Sequence, residues 1–215
     1  MYVKDHMTAD PITISKNTSL LDALEIMGKN KFHRLPVVED GKLIGLVTEG
    51  LVDESSGRDK TSLSIYELNY LLSRTKASDI MITDVKTIGP DAWIEEASQL
   101  MLDSAINVLP VVNDKNEVLG LITEKDLFRA YIEVMGYKSQ GTRFVIKMTD
   151  KPGEFAKLCS LFAEEDANIE NIGLYHSDDR GVEAVIRATG EVSVEEMTKV
   201  LEDAGFTLVN VWQTK

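Results

Sequence analysis

The chain has 215 residues, with 36 acidic against 23 basic and a net charge of −13. A field of that sign opposes binding to nucleic acid and to anionic membranes. No apolar run approaches the ~20 residues that span a bilayer, and the first residues hold no apolar signal core, so a cytoplasmic location is expected. A lone Cys159 excludes an internal disulfide and a cysteine-built zinc site. Its place in Phe155, Leu158, Cys159, Phe162 reads as a small side chain on a helix's apolar face.

In chain order, Asp10-Pro-Ile-Thr-Ile14 is a short apolar alternation after a turn signal. Leu20, Ala23, Leu24 and Met27 recur at three- and four-residue spacing, which predicts a helix capped by Thr18 or Ser19 and ended at Gly28-Lys-Asn30. Leu35-Pro-Val-Val38 and Leu43-Ile-Gly-Leu-Val47 flank an Asp40-Gly41 turn and predict a hairpin. A polar start at 53–59 then precedes Leu63, Tyr66, Leu68, Leu71 and Leu72, the apolar face of an expected linker helix. Residues 77–135 replay the first unit. Aligning Met7 with Met81 matches 7–40 to 81–114 without gaps, with Lys115 as one extra residue in the second hairpin. Over 7–52, fifteen positions are identical, among them Pro36/Pro110, Gly45/Gly120 and Thr48/Thr123, which marks a tandem repeat.

After a Gly- and Ser-containing linker at 136–142 the pattern changes. Strands are predicted at 143–148, 168–175, 182–187 and 206–211, and helices from about Asp150 to Glu165 and from Ser193 to Ala204, with a turn at 177–181. That order, βαββαβ, is the split-βαβ, ferredoxin-like arrangement.

The repeated Leu-Pro-Val-Val and Gly-Leu-hydrophobic-Thr-Glu steps resemble a tandem pair of CBS domains, a Bateman module: repeat 1 at 1–56, a linker helix at 57–76 and repeat 2 at 77–135. Residues 141–215, with Asp150-Lys-Pro-Gly-Glu-Phe155 and Ala167-Asn-Ile169, resemble an ACT domain. The order resembles the acetoin-utilisation AcuB-type proteins. The expected fold class is α+β, a tandem CBS pair followed by a ferredoxin-like βαββαβ ACT domain. The resemblance implies a regulatory homodimer that takes an adenine nucleotide or related adenosyl ligand between the CBS repeats, with an unidentified protein partner.

In that setting the hydroxyl of Thr123 and the carboxylate of Asp126 can face one ligand, the carboxylate accepting from two ribose hydroxyls. The first repeat has Thr48 but Leu51 in place of the carboxylate, and a missing charge-assisted hydrogen bond costs on the order of 1.5–3 kcal/mol. One competent nucleotide site is therefore expected. By resemblance, Met7 to Ile12 would contact the base, with His33 and Arg34 towards the phosphates; their counterparts Asn107 and Val108 are uncharged, so basic character comes from one side only, which leaves nucleoside or monophosphate against polyphosphate open. Thr123 and Asp126 also read, without any ligand, as an N-cap and a first-turn acid. In the ACT part the resemblance points to Asp150 and Gly153 at the loop and Asn168 and Ile169 across a dimer interface as an amino-acid site; a plain turn and plain dimerisation explain the same residues.

No metal site is expected, since His6 and His176 have no partner at ligand spacing. No nucleophile elbow, phosphate loop or zinc-protease motif is present, and no catalytic residue or cofactor is expected. The alternative to a sensor is a non-catalytic dimerisation scaffold with vestigial ligand sites.

Overall fold

The computed structural model describes residues 1–56, 64–176, 181–190 and 193–214. They form two compact units, residues 1–127 and 128–215. Residues 57–63, which include Leu63, and four residues of the expected turn at 177–181 lie outside the described residues.

The first unit holds two three-stranded sheets covered by helices, one built by the first repeat alone and one that sets a strand of the first repeat beside two strands of the second. Helix α1 (Val3–His6) and strands β1 (Thr8–Ala9) and β2 (Ile14–Ser15) open the chain. Helix α2 (Leu20–Asn30) follows; Ser19 Oγ accepts the Asp22 amide at 3.1 Å, and Leu20, Ala23 and Met27 point into the core. The helix runs through Gly28 and stops at Lys31, which takes a left-handed φ of 57°. Strands β3 (Arg34–Glu39) and β4 (Lys42–Thr48) form the hairpin, with Asp40 and Gly41 both at positive φ as a tight hairpin turn requires. Helix α3 (Glu49–Ser56) closes the repeat, and the sheet order is β2-β3-β4.

Helix α4 (Ile65–Arg74) joins the repeats, with a capping box between Ser64 and Glu67. Of its expected apolar face only Leu72 is buried and Leu68 packs on the same core; Tyr66 is 84% exposed and Leu71 45%. Helices α5 (Ala77–Ile80) and α6 (Ile94–Ser104), strands β5 (Val108–Val112) and β6 (Val118–Thr123), and helix α7 (Glu124–Val134) replay the first repeat. Helix α6 ends at Ala105 with φ 52°, the counterpart of Lys31.

The repeats exchange their leading segments. Strand β1 pairs antiparallel with β6 of the second repeat, Thr8 opposite Leu121 and Ala9 opposite Gly120. Val3 is fully buried among Ala97, Met101, Leu109, Val111 and Ile122. Reciprocally, Ala77 sits in the first core with Leu20, Leu35 and Val47, and Ile82 exchanges backbone hydrogen bonds with Leu46. Sequence boundaries divide the repeats along the chain, whereas in space each completes the other.

The second unit is an antiparallel sheet of β7 (Gly141–Met148), β8 (Asn168–His176), β9 (Val182–Thr189) and β10 (Thr207–Thr214), with α8 (Glu154–Glu164) and α9 (Val194–Asp203). The strand order β10-β7-β9-β8 is the ferredoxin-like one expected from βαββαβ. Alternate residues of β7 (Phe144, Ile146, Met148) meet Leu158, Phe162, Met197 and Leu201, and Phe144 packs edge-on against Phe162 with centroids 5.3 Å apart. Arg187, on the opposite face of β9, is buried and donates to the Ser139 carbonyl.

Candidate functional site: two clefts related by the repeat

The exchange places two clefts where the repeats meet. The first, about 230 Å³, is walled by Thr8, Pro11 and Ile12, by Lys31 to Arg34, and by Asn107, Val108, Leu121 and Thr123 to Lys125. The second, about 500 Å³, is walled by Ile82, Val85 and Lys86, by Ala105 to Val108, and by Leu46 and Thr48 to Gly50, with Asp53 and Asp84 added. Under the repeat alignment the walls correspond position by position: Thr8 with Ile82, Ile12 with Lys86, Lys31 with Ala105, Thr123 with Thr48, Lys125 with Gly50. His33, Arg34, Asn107 and Val108 line both clefts and form the partition between them.

The expected nucleotide residues fall unevenly around the first cleft. Ile12 and Thr123 line it. Asp126 lies behind Thr123, only 7% exposed, and its Oδ2 accepts the Thr123 amide at 2.9 Å and the Thr123 hydroxyl at 2.7 Å. This is the N-cap geometry in which a first-turn carboxylate folds back on the capping residue. In the first repeat, where Leu51 offers no carboxylate, Thr48 Oγ1 instead accepts the Leu51 amide at 3.2 Å. Met7 does not line the cleft; it packs into the second core beside Gly120.

His33 and Arg34 occupy the partition, and both are engaged by protein groups. His33 Nδ1 lies 2.7 Å from Glu49 Oε2, and Arg34 donates to Asn107 Oδ1 across the repeats. Burial lowers the Arg34 pKa, with Glu124 acting in the opposite direction. The first cleft also carries Lys31 and Lys125, which sequence reading passed over. Neither ammonium has a hydrogen-bond or ion-pair partner among the described residues. Basic character thus comes from both repeats, whereas the sequence suggested one side only. The signal was available in the comparison of repeats, since both lysines face small residues in the other copy.

In the second unit the four expected amino-acid-site residues separate into two groups. Asp150 lies 3.3 Å from His176 Nε2, and Gly153 caps α8 at φ 91°, both beyond the Met148 end of β7. Asn168 pairs with Thr189 and bonds Glu170, and Ile169 packs on the core, at the Gly141 end of the sheet. The two groups stand at opposite ends of strands eight or nine residues long, roughly 20–25 Å apart at the usual rise per residue. Within one chain they do not converge.

Comparison with known proteins fits this architecture. The family model for the CBS domain matches residues 3–50 and 77–133, and that for the ACT domain matches 142–206. The chain therefore belongs to the CBS-domain proteins, carrying a tandem CBS pair followed by an ACT domain. The Methanocaldococcus jannaschii protein MJ1225 is 35% identical over 128 residues, 57% of this chain; the chain spans only 46% of that relative's length. The solved CBS pair of MJ0100, in complex with 5′-methylthioadenosine and S-adenosylmethionine, is 27% identical with a TM-score of 0.52, covering 61% of this chain and 95% of that one. A Vibrio cholerae structure assigned to acetoin utilization (AcuB) is also 27% identical with a TM-score of 0.52, covering 64% of this chain and 95% of that one. Among the described residues no helix is long and apolar enough to cross a membrane, and no cluster of His, Cys, Asp or Glu could hold a metal ion.

Proposed function

We propose that the chain is a cytosolic, non-catalytic sensor that binds an adenosyl ligand, an adenine nucleotide in the first instance, in the cleft walled by Ile12 and Thr123. One observation carries this reading: the cleft joins an apolar wall of Pro11, Ile12, Phe32 and Leu121 to the Thr123 hydroxyl and two unengaged lysines. An apolar body with a few convergent polar groups is the usual make-up of a small-molecule site. The adenosyl ligands held by the similar MJ0100 pair support the choice of ligand. Regulation requires that the ligand bind one arrangement of the repeats better than another.

Calorimetry with AMP, ATP, S-adenosylmethionine and 5′-methylthioadenosine tests the reading. Asp126→Ala should weaken binding about 10-fold or more, the worth of a charge-assisted hydrogen bond. Affinity that survives unchanged in Asp126→Ala leaves the residue as a helix cap alone. The cap geometry of Thr123 and Asp126 favours a second reading, a dimeric scaffold with vestigial sites, and absence of binding by every adenosyl ligand would select it.

The ACT domain is proposed to bind an amino acid at a site that two copies complete, since Asp150 and Gly153 lie far from Asn168 and Ile169 within one chain. An amino-acid screen by thermal shift, run with light scattering, should find a stabilising ligand that acts on a dimer and fails with Gly153→Asp. A monomer, or no stabilising amino acid, counts against it. The likeness to AcuB supports a role beside an enzyme of acetoin or carbon metabolism.

A further inference from the structure

Within the sheet of the second unit, β10 departs from the other strands in charge. Its residues, Thr207-Leu-Val-Asn-Val-Trp-Gln-Thr214, carry none, although 27% of the chain is charged. The two central strands do carry charge, Arg143 and Lys147 on β7 and Glu183 and Arg187 on β9, and the opposite edge β8 has Glu170. That reverses the usual distribution, in which charged side chains blunt an edge so that no other chain adds to it. Strand β10 is the edge of the order β10-β7-β9-β8, and among the described residues its backbone bonds run to β7 only. Its outward N–H and C=O groups are a free ladder. Val209 and Trp212 stand half exposed along it, at 52% and 48%. The register shift against β7 falls between Leu208 and Asn210, which leaves residues 210–214 as an unbroken run centred on Trp212.

We infer that this edge takes a second copy of the chain: residues 210–214 of two protomers pair antiparallel about a two-fold axis at Trp212. The two four-stranded sheets then become one of eight strands, with β8 at either end. An isologous contact is where the lack of charge counts most, because a charge on the axis would meet its own copy. Here Trp212 meets Trp212, Val211 meets Gln213 and Asn210 meets Thr214, so no like charges oppose each other. An aromatic pair on the axis is among the favourable cross-strand pairs. An acidic or basic partner would call for opposite charge on the strand, and β10 offers none. At β8, Glu170 and a register shift between Ile169 and Asn171 interrupt the edge, so the sheet does not extend further by the same addition. Asp150, Gly153, Asn168 and Ile169 lie outside this contact, which stands independently of either proposed ligand.

Light scattering on the full chain should find an even-numbered assembly, a dimer where β10 is its sole contact. Trp212→Lys and Trp212→Glu each set like charges across the axis and should halve the mass, with the circular dichroism of the folded chain retained. An equimolar mixture of the two variants should recover the wild-type mass, since the axis then joins opposite charges. Cross-linking gives a second reading that does not depend on a charged variant folding. The native thiol is first removed as Cys159→Ala. In that background Trp212→Cys should oxidise to a disulfide-linked dimer. Residues directly opposed in an antiparallel pair have Cα atoms about 4.5–5.5 Å apart, within reach of a disulfide. Val209→Cys, exposed on the same strand but off the axis, should stay uncross-linked. A monomeric wild type, a mass unmoved by both charged variants, or cross-linking at position 209 in place of 212 would overturn the pairing. None of these outcomes bears on adenosyl binding in the first cleft.

Discussion

At Gly120 a Cβ atom would lie 2.4 Å from Met7 Sδ and 2.9 Å from the Thr8 carbonyl. At Gly45 it would lie 2.5 Å from Met81 Sδ and 3.0 Å from the Ile82 carbonyl. Each repeat thus uses the missing side chain to let the other's leading segment cross its sheet at close range. Gly120→Ala should destabilise by about 1–3 kcal/mol in urea unfolding, the usual penalty of overpacking. Adding Met7→Ala should relieve only the sulfur contact, because the Thr8 carbonyl stays in place. Gly28→Ala gives the internal contrast: the glycine lies in the last turn of α2 with nothing within 4 Å of the added Cβ, so the same measurement should show a gain of up to about 0.5–1 kcal/mol. Equal losses at both positions would remove the crossing argument.

Among the elements, those with a strong local period were legible in the sequence. The helices α2 and α6, the hairpin over Asp40 and Gly41 and the βαββαβ order of the second unit all follow from spacing and turn residues. The end of α2 is legible too, since Asn30 of Gly28-Lys-Asn30 is its last residue, whereas α6 stops before Ala105, which adopts left-handed backbone without the glycine or asparagine that usually marks it. The face of α4 was misread for a different reason. Its apolar residues occupy two sides of the helix, and only the packing of α2 decides that Leu68 and Leu72 turn inward while Tyr66 and Tyr70 remain exposed. Strand β1 is two residues long, too short for any pattern to say which sheet it joins. The candidate site shows the same divide. Thr123 and Asp126 are a local motif and stood out, whereas Lys31 and Lys125 are ninety-four positions apart and meet only through the fold.

For the molecule as a whole, the exchange of leading segments sets what can be removed. Deleting residues 1–9 takes fully buried Val3 out of the second core and strips β1 from β6, while the first core keeps every one of its buried members. Loss of Val3 alone removes about 1.5–3 kcal/mol of apolar burial. Hydrogen exchange on the truncated chain should therefore show loss of protection in β5 and β6 ahead of β3 and β4, although the cut lies in the first repeat. Uniform loss across both sheets, or none, would contradict this placement.

The same arrangement has a consequence during synthesis. The chain emerges from the ribosome N-terminus first, yet the first core needs Leu72 and Ala77, and Val3 has no interior to enter until Ile122 has been made. Neither half can finish alone, so the opening residues must wait, solvated, for more than half of the protein to be translated. A premature stop inside the second repeat would leave Val3 and Met7 as exposed grease on an unfinished first repeat, a form that quality-control proteases are built to find.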